Sequence, residues 1–190
     1  EAARKNLGND VEIMVDAHGT FACAEAKQFC RLVAEYNLAW FEEPVTADDI
    51  LGCAEIRAST DIPIAAGESI FTRFDFRDLA LARAVDIFQP DLAICGGITE
   101  AMRIAALAAS HQIRLAPHMW GGAVMFAAGL QICAASPAAF TVEYSLGHNP
   151  LMHDLVAEKF PVLKGRIAIP DRPGLGLTID DDFVRTYAVK

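Results

Sequence analysis

The sequence predicts an α/β fold, an incomplete TIM-type (β/α) barrel with about six of the eight βα units, and three observations support this fold class. Short, continuous apolar runs alternate with longer segments of helical periodicity, as expected for a parallel sheet covered on both faces. Each apolar run ends in an ionisable residue, and these residues recur about every 25 positions. No linker rich in Pro, Gly or Ser divides residues 1–145, so this part is predicted to be one domain.

The elements follow one another in a regular order. Strands are predicted at 11–16, 39–42, 63–67, 86–90, 113–117 and 140–143, and helices near 21–36, 47–58, 75–84, 99–110 and 121–135. The strands are short and the helices longer, with brief connections, which is the pattern of successive βαβ units. After about residue 150 the alternation stops, and Pro and Gly become frequent. We therefore place the barrel domain at 1–150 and a C-terminal extension with one short strand at 166–170 in 151–190.

The start of the chain indicates part of a longer polypeptide. There is no initiator Met, and the first residues have the character of a last helical turn. We expect the first two barrel strands and a capping domain to lie outside this chain, with the extension packing against that domain. Because an incomplete sheet leaves strand edges and apolar surface uncovered, we expect the 190 residues alone to be poorly soluble, to depend on a partner piece or, with most weight, to be part of a longer chain. We also expect them to be inactive alone, because the base on the second barrel strand is missing.

Composition excludes several classes of protein. Hydrophobic residues make up 53% of the chain, which indicates a packed globular core. The net charge of −9 and the pI of about 4.9 argue against a nucleic-acid-binding face. No apolar run is long enough for a membrane span, and the charged N-terminus is not a secretory signal. Five cysteines without a recognisable spacing favour reduced thiols, and we expect a cytoplasmic protein.

The residues that end the predicted strands form the candidate site. In chain order they are Asp16, Glu42, Glu68, Asp91, His118 and Glu143. Each has an ordinary structural explanation as well, such as a strand-end turn for Asp16 or a helix cap for Glu68. Those explanations do not account for six ionisable residues that recur at the same position in a repeat of about 25 residues. Side chains at the carboxyl ends of barrel strands converge on one mouth, so we expect a common site.

The order of residue types indicates a chemistry. Three carboxylates held close together repel one another unless a cation neutralises them, and oxygen-only ligation suits Mg²⁺ better than Zn²⁺. Asp16, Glu42 and Glu68 are therefore the predicted ligands of one Mg²⁺. A carboxylate beside a histidine fixes its tautomer, so Asp91 and His118 form a candidate general acid or base.

Five motifs carry a resemblance to a known family. They are VDAHGT at 15–20, WFEEP at 40–44, GES at 67–69, QPDLAICGG at 89–97 and APHMWGG at 116–122. In this order the motifs resemble those of the enolase superfamily, and within it the mandelate racemase-like branch. The resemblance covers essentially the whole chain and supports the three Mg²⁺ ligands and the Asp91–His118 dyad.

The resemblance also assigns roles to two further residues. His18 lies two positions after the first predicted ligand, where the family often places a substrate contact. Glu143 matches the family's acidic residue on the last strand, and we expect it to bind the substrate and to take part in catalysis. The family's Lys-x-Lys motif on the second barrel strand precedes this chain. The stretch 91–97 contains no Lys, which disfavours the muconate-cycloisomerase-like and dipeptide-epimerase branches.

The reaction implied by the resemblance begins with removal of the proton α to a carboxylate. The preferred hypothesis is a lyase that then eliminates water from an acid sugar, an aldonate or aldarate, with His118 assisting the leaving hydroxyl. A racemase or epimerase of a 2-hydroxy acid is the alternative, and a non-catalytic barrel is a second one. A Schiff-base aldolase is disfavoured because no predicted strand ends in Lys. We expect a small-molecule carboxylate as substrate, no nucleic-acid or membrane partner, and a homo-oligomer.

Overall fold

The computed structural model describes residues 1–188 and contains one parallel sheet of five strands. The strands are β1 (Ile13–Asp16), β2 (Leu38–Glu42), β3 (Ile64–Ala66), β4 (Ile87–Phe88) and β5 (Arg114–Leu115). Each strand pairs in parallel with the next along the chain, in the order β1-β2-β3-β4-β5. This is the strand order of a (β/α) barrel, so the predicted fold class is confirmed.

A helix follows each strand, as predicted. The helices are α1 (Ala2–Leu7), α2 (Cys23–Val33), α3 (Ile50–Arg57), α4 (Thr72–Leu81), α5 (Gly97–Ser110), α6 (Ala123–Ala135), α7 (Pro150–His153) and α8 (Asp181–Tyr187), with a 3₁₀ turn at Ala34–Tyr36. Helix α4 begins three residues before its predicted start, because the backbone N–H of Thr72 is already held by the Cys95 carbonyl. No helix within residues 1–188 has the length and apolar character needed to cross a bilayer.

Two predicted strands are not formed. The segment 140–143 has no strand assignment, and the chain instead touches β5 earlier, through a single parallel bridge between Leu115 and Ala139. The segment 166–170 is not a strand either. Its first residue, Arg166, closes an antiparallel bridge with Leu163, and the turn between them has positive φ at Lys164 and Gly165. Pro170 lacks a backbone donor for a longer ladder.

Side chains of the sheet alternate between two faces, because successive residues of a strand point in opposite directions. The outer face packs against the helices and contains Phe41, Ile64, Phe88 and Leu115. The inner face, which we define as Trp40, Ala65, Ile87 and Ala116, forms a separate small cluster. The outer face forms part of the main core, and the inner face leads to the site described below.

A second apolar cluster joins the C-terminal extension to the barrel. It contains Met119, Phe126, Leu130, Met152, Val156 and Phe160. Phe126 packs edge-to-face on Phe160 with ring centroids 5.0 Å apart. Burial of each such ring contributes about 2–3 kcal/mol, so the extension is bound to α6 and to the loop after β5.

Candidate active site

The sheet register brings the first two predicted ligands side by side. Asp16 and Glu42 are direct partners in the pairing of β1 with β2. Beyond this pair the backbone ladder continues, since Ala17 N–H donates to the Glu42 carbonyl and Glu43 N–H to the Ala65 carbonyl. The carboxyl ends of these strands therefore lie at one edge of the sheet, as the sequence predicted for a barrel mouth.

Gly67 allows Glu68 to turn into the same edge. Its φ is +146°, and a Cβ at this position would lie 2.9 Å from both the Gln89 backbone N and the Phe76 ring. Only glycine fits both this backbone conformation and this spacing. At the GES motif, the chain after β3 therefore passes close to Gln89 after β4, and this close approach positions Glu68 at the edge of the sheet.

Glu68 lies between two imidazoles. His18 Nδ1 is 3.3 Å from Glu68 Oε1, and His118 Nε2 is 3.5 Å from Glu68 Oε2. The His18 side chain is 72% exposed, whereas the Glu68 side chain is largely buried. The structure therefore brings the predicted ligand, the predicted substrate contact and the predicted acid or base together.

The Asp91–His118 dyad is formed. His118 Nδ1 lies 2.7 Å from Asp91 Oδ2, and the other oxygen of the buried Asp91 accepts a hydrogen bond from the Ala93 N–H at 2.6 Å. Burial by itself would lower the pKa of His118, but the Asp91 hydrogen bond and the charges of Glu143, Glu68 and Asp91 raise it overall. With Nδ1 directed at Asp91, His118 presents Nε2 to the Glu68 side of the site.

Glu43 is a site residue that the sequence prediction missed. It is 6% exposed, has φ of +38°, and its Oε2 lies 3.9 Å from His18 Nδ1. Within residues 1–188, potential ligand atoms of His18, Glu43 and Glu68 all lie within 4.8 Å of one another. Burial, and next the charge of Glu68, raise the pKa of Glu43 to about 7, while His18 opposes the rise. The EEP doublet was the available signal, but the backbone turn that buries the second Glu is not visible in sequence.

Asp16 and Glu42 flank this cluster and are not part of it. Asp16 Oδ1 accepts a hydrogen bond from the His18 backbone N–H at 2.7 Å. Glu42 Oε2 accepts one from the Trp40 indole Nε1 at 2.9 Å. Burial raises the pKa of Glu42, the charges of Asp16 and Glu68 add to the rise, and hydrogen bonds from Gln89 and Trp40 oppose it.

A cavity of about 250 Å³ opens beside Glu42 along the inner face. Trp40, Gln89, Pro117 and Glu143 contribute to its lining. Glu143 is fixed there because its Oε2 accepts a hydrogen bond from the Met119 N–H at 2.6 Å. The predicted substrate-binding carboxylate Glu143 and the predicted metal ligand Glu42 thus border one space.

The donor set fits a hard divalent cation. Four carboxylates come from three neighbouring strand ends, and after burial it is the charges of neighbouring carboxylates that raise the pKa of Glu42 and Glu43. A bound cation would relieve this repulsion. Among the described residues, the buried oxygens Glu43 Oε1 and Gln89 Oε1 have no hydrogen-bond partner. Buried polar atoms normally have a partner, and carboxylate-rich surroundings suit Mg²⁺.

Fold and site together define a (β/α)-barrel domain with an acid–histidine centre at the carboxyl ends of its strands. Residues 1–183 match the family of Enolase C-terminal domain-like proteins. The chain belongs to this family, in the mandelate racemase-like branch of the enolase superfamily. The resemblance stated from the sequence motifs is confirmed.

Three relatives illustrate the similarity. The D-galactarolactone cycloisomerase of Agrobacterium fabrum is 38% identical over 98% of this chain and 51% of its own length. The arabinonate dehydratase of Saccharolobus solfataricus is 34% identical over 100% of this chain and 51% of its own. The crystal structure of the 3,6-anhydro-D-galactonate cycloisomerase from Zobellia galactanivorans superposes with a TM-score of 0.94, at 33% identity, over 100% of this chain and 54% of that one. The chain spans about half the length of the relatives it matches.

Proposed function

We propose that the full-length protein is a Mg²⁺-dependent acid-sugar dehydratase, a lyase that removes the proton α to a carboxylate and eliminates water. The proposal rests on the Asp91–His118 dyad, in which Nε2 of His118 faces the carboxylate of Glu68. Relatives named as arabinonate and galactonate dehydratases support the reaction class. In this proposal residues 1–150 are the catalytic barrel and residues 151–190 the supporting extension.

Asp16, Glu42 and Glu68 would hold the Mg²⁺, and the buried Glu43 would add negative charge beside it. Bound there, Mg²⁺ supplies positive charge that makes the proton α to the substrate carboxylate easier to remove. The adjacency of Asp16 and Glu42 in the sheet supports this ligand set, as does the approach of Glu68 to the same edge.

His118 would transfer a proton at Nε2. Asp91 accepts a hydrogen bond from the Nδ1 proton of His118. Protonated His118 can therefore donate its Nε2 proton to the leaving β-hydroxyl group, which leaves the imidazole neutral. Asp91 itself is held by the Ala93 N–H and need not change its protonation. The proton α to the carboxylate would go to a second base, the lysine that the family's Lys-x-Lys motif provides.

His18 and Glu143 would orient the substrate. His18 is exposed and contacts Glu68 from outside, which suits a contact with substrate hydroxyl groups. Glu143 accepts a hydrogen bond from the Met119 N–H and borders the cavity beside Glu42. This position suits a hydrogen bond to the end of the substrate that lies away from His18. An acid sugar has many hydroxyl groups, and both His18 and Glu143 can form hydrogen bonds with them.

Cycloisomerisation is the second candidate, because two of the relatives described above are named as cycloisomerases of galactose-derived acids. Such a reaction can begin with the same proton transfer, but no water leaves. The racemase alternative begins with the same proton transfer.

A product screen with the full-length protein separates these reactions. We expect one or more aldonates or aldarates to give a 2-keto-3-deoxy product, detected with semicarbazide, when Mg²⁺ is present. A constitutional isomer of unchanged mass would favour cycloisomerisation. Exchange of the α-proton with deuterated solvent, with a stereoisomer at the α-carbon as the product, would favour racemisation. Absence of both exchange and product across acid sugars would contradict proton abstraction as the function.

A further inference from the structure

We propose that Trp40 is a positioning residue for the metal site: its indole N–H occupies one oxygen of Glu42 and leaves the other to bind the cation. The inference rests on the proposed Mg²⁺ site and extends it. It concerns a residue that is not itself a predicted ligand but contacts the predicted ligand Glu42. Its role would be to fix how Glu42 ligates.

The geometry of β2 makes this contact. Trp40 and Glu42 are two residues apart on one strand, so both point to the inner face. The indole Nε1 lies 2.9 Å from Glu42 Oε2. An indole N–H can only donate a hydrogen bond. Glu42 Oε2 can therefore accept this bond whether or not the Glu42 carboxyl group is protonated.

The surroundings hold the indole in place. Trp40 is 9% exposed, and neighbouring strands present the small residues Ala65 and Ala116 on the same face, which leaves room for the ring. Phe140 packs edge-to-face against it at a centroid distance of 6.1 Å. The Arg114 guanidinium in turn lies over the Phe140 ring, 3.3 Å from its centroid. Trp40 therefore has little freedom to release Glu42.

A fixed oxygen has a consequence for ion choice. Mg²⁺ takes about six ligands at short distances in a strict octahedron, whereas Ca²⁺ is larger and accepts two oxygens from one carboxylate. A carboxylate with one oxygen engaged by an indole is a one-oxygen ligand. Trp40 should therefore strengthen the binding of Mg²⁺ more than the binding of Ca²⁺.

The test compares Trp40→Phe with Trp120→Phe in the full-length protein. Phe keeps an aromatic ring and removes the N–H, and Trp120 is a matched control because it is 65% exposed. By calorimetric titration, we expect Trp40→Phe to weaken Mg²⁺ binding about 10- to 100-fold, as is typical when a group that orients a metal ligand is lost. Its Ca²⁺ affinity should fall less, and Trp120→Phe should match the wild type for both ions.

The outcomes separate the inference from the proposed function. Wild-type protein that does not bind Mg²⁺ would overturn the metal site and the inference with it. Wild-type binding with equal Mg²⁺ affinity in Trp40→Phe would overturn the inference alone. If Trp40→Phe does not fold, the assigned indole N–H signal of Trp40 in the wild type is followed by NMR during Mg²⁺ addition. A signal that stays hydrogen-bonded in the Mg²⁺-bound protein supports the contact, and a signal released to solvent contradicts it.

Discussion

His18 and His118 contact different oxygens of a single carboxylate, that of Glu68, at 3.3 and 3.5 Å. The two imidazoles come from loops after β1 and β5, which lie at opposite ends of the described sheet. Glu68 is therefore the point where the predicted metal site, the acid–base dyad and the substrate contact meet.

Neutralising a predicted ligand should weaken metal binding. Glu42→Gln and Glu68→Gln each remove one carboxylate from the predicted metal ligands, so we expect Mg²⁺ affinity to fall at least about tenfold by calorimetry. Glu55→Gln is the control, because Glu55 is exposed on α3 and pairs only with Lys27 among the described residues. Unchanged affinity in both site variants would remove the metal assignment.

Replacing the acid–base histidine should stop turnover and spare the metal. Asn cannot transfer a proton at the position of Nε2, so His118→Asn should lower kcat about 10²- to 10⁴-fold. Mg²⁺ affinity should stay near the wild-type value, since His118 is not a predicted ligand. His111→Asn, on the exposed end of α5, serves as control. A wild-type rate in His118→Asn would contradict the dyad.

Asp91→Asn tests positioning without removing the histidine. The Asn oxygen can still accept from the Ala93 N–H, but its amide would present a donor to His118 Nδ1 and favour the other tautomer. We expect kcat to fall about 10²- to 10⁴-fold, as for other acid–histidine pairs, with little change in KM or Tm. A change confined to KM would show that Asp91 acts on substrate binding instead.

Gly67 should tolerate no side chain. Gly67→Ala would place a Cβ 2.9 Å from the Gln89 backbone, so we expect a free energy of unfolding lower by about 1–3 kcal/mol and weaker Mg²⁺ binding through displaced Glu68. Gly97→Ala is the matched control, because Gly97 also has positive φ, yet a Cβ there meets nothing within 4 Å. Equal urea stability of the two variants would show that crowding at Gly67 is unimportant.

The extension should lose stability in acid through Glu158. The Thr178 backbone N–H, together with the Thr178 hydroxyl and the Arg172 guanidinium, lowers the pKa of Glu158 from about 4.5 to about 2. A lowered pKa in the folded state stabilises the fold above the ordinary value, and this stability is lost as pH falls from about 4.5 towards 2.

Thermal unfolding between pH 7 and 2 measures this effect. Glu158→Gln should have a lower Tm than the wild type at pH 7, and the two curves should converge near pH 2. Glu35→Gln is the control, because Glu35 is exposed and makes no side-chain hydrogen bond among the described residues. A constant Tm difference between wild type and Glu158→Gln over the whole range would refute the linkage.

The parts of the site that follow the strand period were predictable from sequence. Parallel strands of similar length place their last residues at one edge, so the spacing alone indicated that Glu68 and His118 would meet. The dyad followed from residue types on neighbouring strands. Helices α7 and α8 were missed although Asn149 before Pro150 and Asp180 are recognisable N-caps.

Features that depend on backbone twist or on tertiary pairing were not predictable. The burial of Glu43 depends on a positive φ that a Glu rarely adopts. The contact of Trp40 with Glu42 depends on the free space beside two alanines of other strands. The segment 140–143 has the composition of a strand, but its backbone pairing with β5 ends at its first residue: the Phe140 N–H donates to the Leu115 carbonyl, next to the bridge at Ala139.

Met119 inserts into the second apolar cluster and so connects the proposed acid–base residue His118 to distant parts of the chain. Met119 directly follows His118, and its side chain packs with Met152, Val156 and Phe160 of the extension. The imidazole is therefore aimed partly by a segment that contributes no reacting group. Substitutions in this remote segment are therefore expected to change the orientation of the His118 imidazole while every charged group at the mouth stays the same.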